Sequence, residues 1–599
     1  MLTISFPAFF VASFILSATQ GANAYHWPDP RYDALEMLLY EGRRSDNSNL
    51  ASTQHPCKNR GSTRASIGAE WLRLAFHDSA THDAAKGTGG LDASIAFELD
   101  REENGGMGMH RTLDDFSTFS SKYISRADVF ALGAVFAISS CGGPVIRYRG
   151  GRVDALSADD PGVPLPQQDL ATHTQMFQRQ GFSPQDMIGL IACGHTIGGV
   201  RSSDHPDIAP PGPDPSVEVF EMFDDTPSKF DTSVVQDFLS SEPIESKHNP
   251  LVSAANQTLA SDHRIFDSDG GATMRALADN TTFMETCSTL IERMLNLVPS
   301  GVTLTDEITM LPAKVSTAQL TIERGILVFK TSLRVAYSVD TKYQKPTITL
   351  FWCDRYGDHK DCAQGQARSS AYASTSLTQP DTSPVTQRLG YYFAYYNFVV
   401  PINDAESVST FWFSLDSGTG QSTVYDNDGS GYVLQQDTVL HVPAMGNVDL
   451  DGATTKRFYT LTSAVRSSLS PSRVYMYAFD SATPNYEAPI STHIDMTRND
   501  TITPIAGYTF YTATLEDIGA QLTVDLHVDV DGTTYTEDYQ PTYFLGTRLP
   551  YLPPTTVTQG LATLPGTSRG NGNSSTRRYT FCMDFCFGIF AMYIGLWLF

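Results

Sequence analysis

The sequence predicts a mainly α N-terminal domain followed by an all-β C-terminal domain, the latter a sandwich, with an apolar segment at each end of the chain. Three observations lead there. A chain of 599 residues is too long for one hydrophobic core and divides into two or more domains. From about Tyr32 to Val298 apolar residues recur at helical spacing, with Gly and Pro in the connections. After about Thr305 Thr, Val, Tyr and Phe rise and short alternating runs appear. The domain boundaries read as 25–304 for the helical part and 305–550 for the β part.

At the N-terminus, residues 1–24 form an apolar run without an acidic residue, closing on Ala22-Asn23-Ala24. That pattern resembles a secretory signal with an A-x-A cleavage site, so the mature chain would begin at Tyr25. The basic n-region is missing, and an uncleaved anchor is the alternative. At the other end, residues 551–576 are a linker rich in Thr, Ser and Gly, and 577–599 open on Arg577-Arg578 and run into an apolar tail. Small residues, a polar spacer and a terminal hydrophobic tail resemble a glycosylphosphatidylinositol (GPI) anchor signal. Asp584 interrupts the tail as a spanning helix, and a plain C-terminal membrane helix is the competing reading. Either way the expected location is secreted and membrane-tethered, at the cell surface or cell wall. Sequons at Asn256, Asn280, Asn499 and Asn573 suit a glycosylated product.

Eight cysteines in an exterior protein favour disulfides. Cys353 and Cys362 are close enough in sequence to close a hairpin. Cys57 with Cys141 and Cys193 with Cys287 are the other proposed pairs, although spacing alone does not fix connectivity. Cys582 and Cys586 lie in the tail. The formal charge of −25 argues against a nucleic-acid partner, since phosphate binding needs clustered Lys and Arg.

Within the helical part, Ser66 to Ser79 reads as a helix with Ile67, Trp71, Leu74 and Ala75 on one side. Ser183-Pro-Gln-Asp186 opens another, with a Ser cap, Pro at the first position and an acidic residue three after the cap. Met187 to Ala192 continue it and Gly198-Gly199 should stop it. In the β part, runs such as Phe411 to Leu415 and Gln521 to Val528 alternate, with Asp426-Asn-Asp-Gly and Asp529-Val-Asp-Gly as turns.

Chemistry concentrates in two stretches. In Ala69-Glu-Trp-Leu-Arg-Leu-Ala-Phe-His-Asp-Ser79, Arg73 and His77 are four apart and share a helix face. Cleaving a peroxide O–O bond needs a base that takes a proton and returns it to the departing oxygen, and a fixed cation beside the developing charge. His77 and Arg73 are those types, and Phe76 borders them. A zinc site from His77 and His82 fails, because a spacing of five turns the rings apart on a helix. The second stretch is Leu190-Ile-Ala-Cys-Gly-His195-Thr-Ile-Gly-Gly.

Both stretches resemble the distal and proximal signatures of the plant, fungal and bacterial haem peroxidase superfamily, a likeness that covers about residues 32–300. Arg126-Ala-Asp-Val, Cys141-Gly-Gly-Pro and Gly151-Arg-Val-Asp154 are similar to the family's structural segments. The resemblance implies haem b as cofactor, with His195 as the iron ligand and Asp262 as its hydrogen-bonding partner. Asn104 then orients His77, Glu98 braces the loop, and Phe223 stands where some members carry Trp. Met187 and Cys193 depart from the common pattern without removing a ligand.

The resemblance also implies two Ca²⁺ ions. The distal one would be held by Asp78, Gly90, Asp92 and Ser94, and the proximal one by Thr196, Asp224, Thr226, Asp231 and the carbonyl of Lys229. Oxygen-only sets of this kind suit calcium, and they point to a secreted fungal-type member. The positions that bind manganese in some members are Ser66, Glu70 and Arg201 here, and an exposed relay Trp is replaced by Leu190. The expected partners are therefore hydrogen peroxide and small phenolic or aromatic donors. A role of the β domain on cell-wall polysaccharide is the further expectation. The alternative is a cell-wall-binding or adhesion protein with a peroxidase-like domain.

Overall fold

The computed structural model describes residues 25–545, except 62–63, 215–217, 363–366, 372–373, 378–382, 419–421, 451–456, 482, 484–485, 518–521 and 543–544. The expected signal, linker, anchor tail, Asn573, Cys582 and Cys586 lie outside the described residues. Among the described residues no helix is long and apolar enough to cross a membrane.

Local signals place the helices of the first half. Asp29 caps Pro30–Glu41 through Tyr32 N, with Pro at the start. Ser66 caps Ile67–Ser79 through Ala69 N, Ser125 caps Arg126–Ser140 and Asp279 caps Asn280–Leu295. Each cap satisfies an N–H that the helix leaves unpaired, worth about 1 kcal/mol. Helix Arg126–Ser140 is buried without a break from Ala127 to Ser139, so it is the hub of the core rather than a surface helix. Helix Pro184–Gly194 carries a full capping box between Ser183 and Asp186. It ends at Gly194 with His195 as its cap residue, four residues before the glycine pair expected to stop it. Gly199 instead opens a strand, Gly199–Arg201, that pairs antiparallel with Phe220–Met222. Disulfides join Cys57 to Cys141 and Cys193 to Cys287. The second ties helix Pro184–Gly194 to helix Asn280–Leu295.

The β half forms antiparallel sheets, in two layered pairs rather than a single sandwich. In the first pair, one sheet runs Ala313–Glu323, Ile326–Ser338, Tyr391–Ile402, Ser374–Leu377. Its partner runs Ser422–Tyr425, Thr410–Asp416, Thr347–Cys353, Arg368–Ala371. Phe329, Tyr396, Ile348, Leu350, Phe411 and Phe413 fill the layer between them. In the second pair, the sheet containing Arg457–Arg466 and Tyr508–Asp517 faces the sheet containing Arg473–Asp480 and Thr523–Val530. Leu461, Val465, Met476, Val524 and Leu526 are buried there. Alternation in sequence supplies each inner face. Cys353 and Cys362 are bonded.

All described residues fall in one compact unit, and the two halves share a buried ionic junction. Arg334, fully buried on strand Ile326–Ser338, reaches Glu36 at 2.5 Å and Glu41 at 3.0 Å on the first helix. Lys314 adds a bond to Glu36 at 2.9 Å, and Tyr395 donates to Glu41. Burial raises the Glu36 carboxyl, but Arg334 and Lys314 outweigh it and hold the group at about 2. Nearby, a short helix inside the β half, Pro384–Arg388, packs on the helical core through Val385, and Thr386 donates to the Tyr40 carbonyl.

Candidate active site

Helix Ile67–Ser79 turns Trp71, Leu74 and Ala75 into the core and lines a cavity of about 270 Å³ with Leu72, Arg73, Phe76 and His77. Leu190, Ile191 and His195, from helix Pro184–Gly194 and its cap, line the same cavity, together with Phe223 and Asp262. The structure thus brings both sequence motifs to one space.

The tautomer of His77 follows from its partners. Asn104 Nδ2 donates to the Glu98 carbonyl at 3.1 Å, which leaves its Oδ1 toward His77 Nδ1 at 2.9 Å. An amide oxygen only accepts, so Nδ1 carries the proton and Nε2 keeps its lone pair. Burial, and then the charge of Arg73, hold His77 well below the usual imidazole range, so the ring is neutral. Arg73 is itself lowered by burial and by Arg201, against Asp204, and donates to the Gly105 carbonyl at 3.0 Å. Glu98 accepts from Asp159 N at 2.8 Å and pairs with Arg101.

His195 is built the opposite way. Its Nδ1 lies 2.7 Å from Asp262 Oδ2, so Nδ1 donates and Nε2 has no partner among the described residues. The ring stacks on Phe223 at 4.2 Å and 12°. Asn249, absent from the sequence reading, donates to the same Asp262 oxygen at 2.8 Å, and its own Oδ1 accepts from Leu251 N. Nothing in its sequence neighbourhood marks it. Two other histidines missed by the motifs, His173 and His205, also line the cavity.

These residues fit a haem. An imidazole backed by a buried carboxylate keeps one nitrogen free for iron. Arg201, on the cavity wall, has a buried Nη1 without a hydrogen-bond partner among the described residues, and a propionate carboxylate would satisfy it. The manganese positions are occupied otherwise: Glu70 is bound by Arg60 at 2.5 Å, Arg201 at 3.3 Å and Arg111 at 3.5 Å.

The distal loop collects Asp78, which accepts from Ala93 N and Ile95 N, and Asp92, which accepts from Ser94 N. Burial and Asp92 push Asp78 well above the carboxylate range. Burial and Asp159, another residue the sequence reading missed, push Asp92 up to about 7. Gly90, at φ +125°, lies where a Cβ would come within 2.5 Å of the Leu297 carbonyl, so the close approach requires glycine. On the proximal side Thr226 Oγ1 bonds Asp231 Oδ1 at 3.1 Å and Thr196 Oγ1 donates to the Asp231 carbonyl. Asp224 is pushed up to about 6 by burial and Asp231, and its Oδ2 is buried without a partner among the described residues. The Lys229 ammonium pairs with Asp231 at 2.8 Å. Among the described residues no three His, Cys, Asp or Glu side chains converge as a metal cluster; each loop instead combines carboxylates with hydroxyl and carbonyl oxygens.

Comparison with known proteins bears on the helical half. The peroxidase family model matches residues 54–281. A WSC domain-containing protein of Arthroderma benhamiae is 35% identical over 69% of this chain and 56% of its own length. L-ascorbate peroxidase 5, peroxisomal, of Arabidopsis thaliana is 39% identical over 21% of this chain and 46% of its own. Mitochondrial cytochrome c peroxidase of Cryptococcus neoformans var. grubii is 34% identical over 22% and 37%. The chain spans about half, or less, of the length of these relatives. Residues 54–281 thus form a peroxidase-family domain, similar over part of its length to ascorbate and cytochrome c peroxidases of the plant, fungal and bacterial superfamily.

Proposed function

We propose that this chain is a secreted haem peroxidase of the fungal type, which reduces hydrogen peroxide and oxidises small phenolic or aromatic donors in one-electron steps. The observation that carries the reading is the convergence of Arg73 and His77, the latter held by Asn104, with His195 and Asp262 on one cavity. When bound, haem supplies the electron transfer between peroxide and donor. The protein supplies the rest. Nε2 of neutral His77 takes the proton of the attacking peroxide oxygen and gives it to the departing one. The Arg73 guanidinium stands beside the charge that develops on that oxygen. Asn104 keeps the proton on Nδ1, so the base is always presented. His195 Nε2 would hold the iron, while Asp262 and Asn249 fix the ring and make it a stronger ligand.

The surroundings of the cavity support the proposed donor class, since Glu70, enclosed by three arginines, offers no site for a divalent cation. Secretion and a C-terminal membrane anchor rest on the two terminal segments, and the disulfides suit that compartment. The β half would dock on wall polysaccharide or hold the helical half away from the membrane. A wall-binding protein that has lost catalysis is the other class of reading, and the presence of Arg73, His77, Asn104, His195 and Asp262 speaks against it. The test is the absorption spectrum of the full chain loaded with haem, before and after one equivalent of hydrogen peroxide. A ferric haem band that converts within seconds is expected. A folded chain that binds no haem, or binds it without reacting, sinks the reading.

Two calcium ions belong to the same proposal, since buried like charges with free oxygen acceptors call for a cation. Chelation is expected to lower the thermal midpoint, because each ion contributes about 2.7 kcal/mol at a hundred times its dissociation constant. Calcium, and not magnesium, should restore it. No shift on chelation of a metal-analysed sample would remove calcium from the account.

A further inference from the structure

The cavity holds an ionisable ring for which peroxide cleavage has no use. Strands Gly199–Arg201 and Phe220–Met222 are joined by residues 202–219, and the first turn of that connection is tightly wound. His205 N donates to the Arg201 carbonyl at 2.9 Å, while Ile208 N and Ala209 N donate to the His205 carbonyl at 3.1 and 2.9 Å. The turn is pinned on two sides. Asp204 Oδ2 accepts from Arg201 at 2.7 Å and its Oδ1 from Met107 N at 3.3 Å. Ile208 packs into a small apolar cluster with Val200, Ala209, Leu251 and Phe223, the ring that stacks on His195. The turn therefore presents Asp204, His205 and Ile208 to the cavity beside Arg73 and Arg201.

The His205 ring is half-buried and has no hydrogen-bond partner among the described residues. Charged groups face it from each neighbouring element: Arg73 on helix Ile67–Ser79, Arg201 on the first strand and Asp204 on its own turn. His77 is close enough to feel its charge. Burial, then Arg73, and also Arg201 push the ring below the ordinary imidazole value against the pull of Asp204. It is therefore a neutral base with an unused lone pair.

We propose that His205 accepts the hydroxyl or amine proton of the aromatic donor as that donor is oxidised. This rests on the peroxidase reading and names the donor class more closely: aromatics with an ionisable O–H or N–H. Removing one electron from a neutral phenol leaves a strongly acidic radical cation, so oxidation is easier when the proton leaves with the electron. Each donor gives one electron, consumed in the reduction of peroxide, and one proton, taken by His205 and passed on toward the oxygen being reduced. One hydrogen peroxide and two phenols give two waters and two phenoxyl radicals, with atoms and electrons balanced.

The experiment uses the haem-loaded full chain with two donors: 4-methylphenol, which must lose a proton, and hexacyanoferrate(II), which has none to lose. In His205→Gln the ratio of kcat/KM for the phenol to that for hexacyanoferrate(II) is expected to fall at least about tenfold. The acid limb of the phenol pH profile should vanish with it. Added imidazole should restore phenol oxidation in His205→Ala, and 4-methylphenol should bind His205→Gln more weakly without peroxide, read by its absorption difference spectrum. An unchanged ratio and pH profile would overturn the assignment, as would an equal fall for both donors. If the wild type oxidises neither donor, the peroxidase reading fails first and this one with it.

Discussion

His77→Ala is expected to slow the reaction of the haem-loaded chain with hydrogen peroxide by roughly 10²–10⁴-fold, the usual worth of a positioned acid–base group. The side chain is buried and neutral, and its one hydrogen bond among the described residues, to Asn104 Oδ1, leaves Nε2 facing the cavity. On the proposed reading, its removal takes away the group that moves the proton between the two peroxide oxygens. Arg73 stays behind, so the charge-stabilising part of the site survives and the loss should stop short of abolition. Haem binding should persist, because His195, Asp262 and Asn249 are held by a separate set of bonds. The measurement is the stopped-flow rate of the haem band change over a range of peroxide concentrations. A slowing under about tenfold would mean that another base does the work, and the role of His77 would have to be given up.

The contrast between His77 and Asn249 shows how far sequence alone reaches into this site. Arg73 and His77 lie on one helix, where a spacing of four already dictates a shared face. Asp262 and Asn104 are legible only through the spacing of a known family, because each meets its histidine across a loop. Asn249, His173 and His205 carry no local pattern at all; their place depends on how distant segments close around the cavity. The β half shows the same limit. Alternation marks the strands and their inner faces, yet it does not say which sheet covers which, and so two layered pairs read as one sandwich. The junction between the halves was the least legible part. Nothing in the sequence around the first helix marks Glu36 and Glu41 as buried, and nothing near Glu36 announces an arginine 298 residues away.

That junction sets the second expectation, that Arg334→Ala destabilises the folded chain by about 3–5 kcal/mol. Glu36 and Glu41 are completely buried, so the variant leaves two carboxylates in a low dielectric with only Lys314 beside Glu36 and the part-exposed Arg43 beside Glu41. Arg334 also lies 4.1 Å above the Phe393 ring, and that contact goes with it. Chemical denaturation, followed by a signal from each half, should show a lower midpoint for both. Replacing the cluster together, Arg334→Met and Lys314→Met with Glu36→Gln and Glu41→Gln, should recover much of the loss, because the penalty comes from unpaired charge. Acid should act on the same contact. Glu36 titrates at about 2 in the folded chain against an ordinary 4.5. A depressed carboxylate contributes its full stability above 4.5 and loses it as the pH falls from there to about 2. The acid sensitivity of the wild type over that interval should thus be reduced in the quadruple variant. A cost below about 1 kcal/mol for Arg334→Ala would show that apolar contacts such as Val385 hold the halves together and that the ions are incidental. If the cost is large, a fragment beginning at residue 305 carries Arg334 and Lys314 without their acidic partners. Binding of the β half to wall polysaccharide then has to be measured on the full chain.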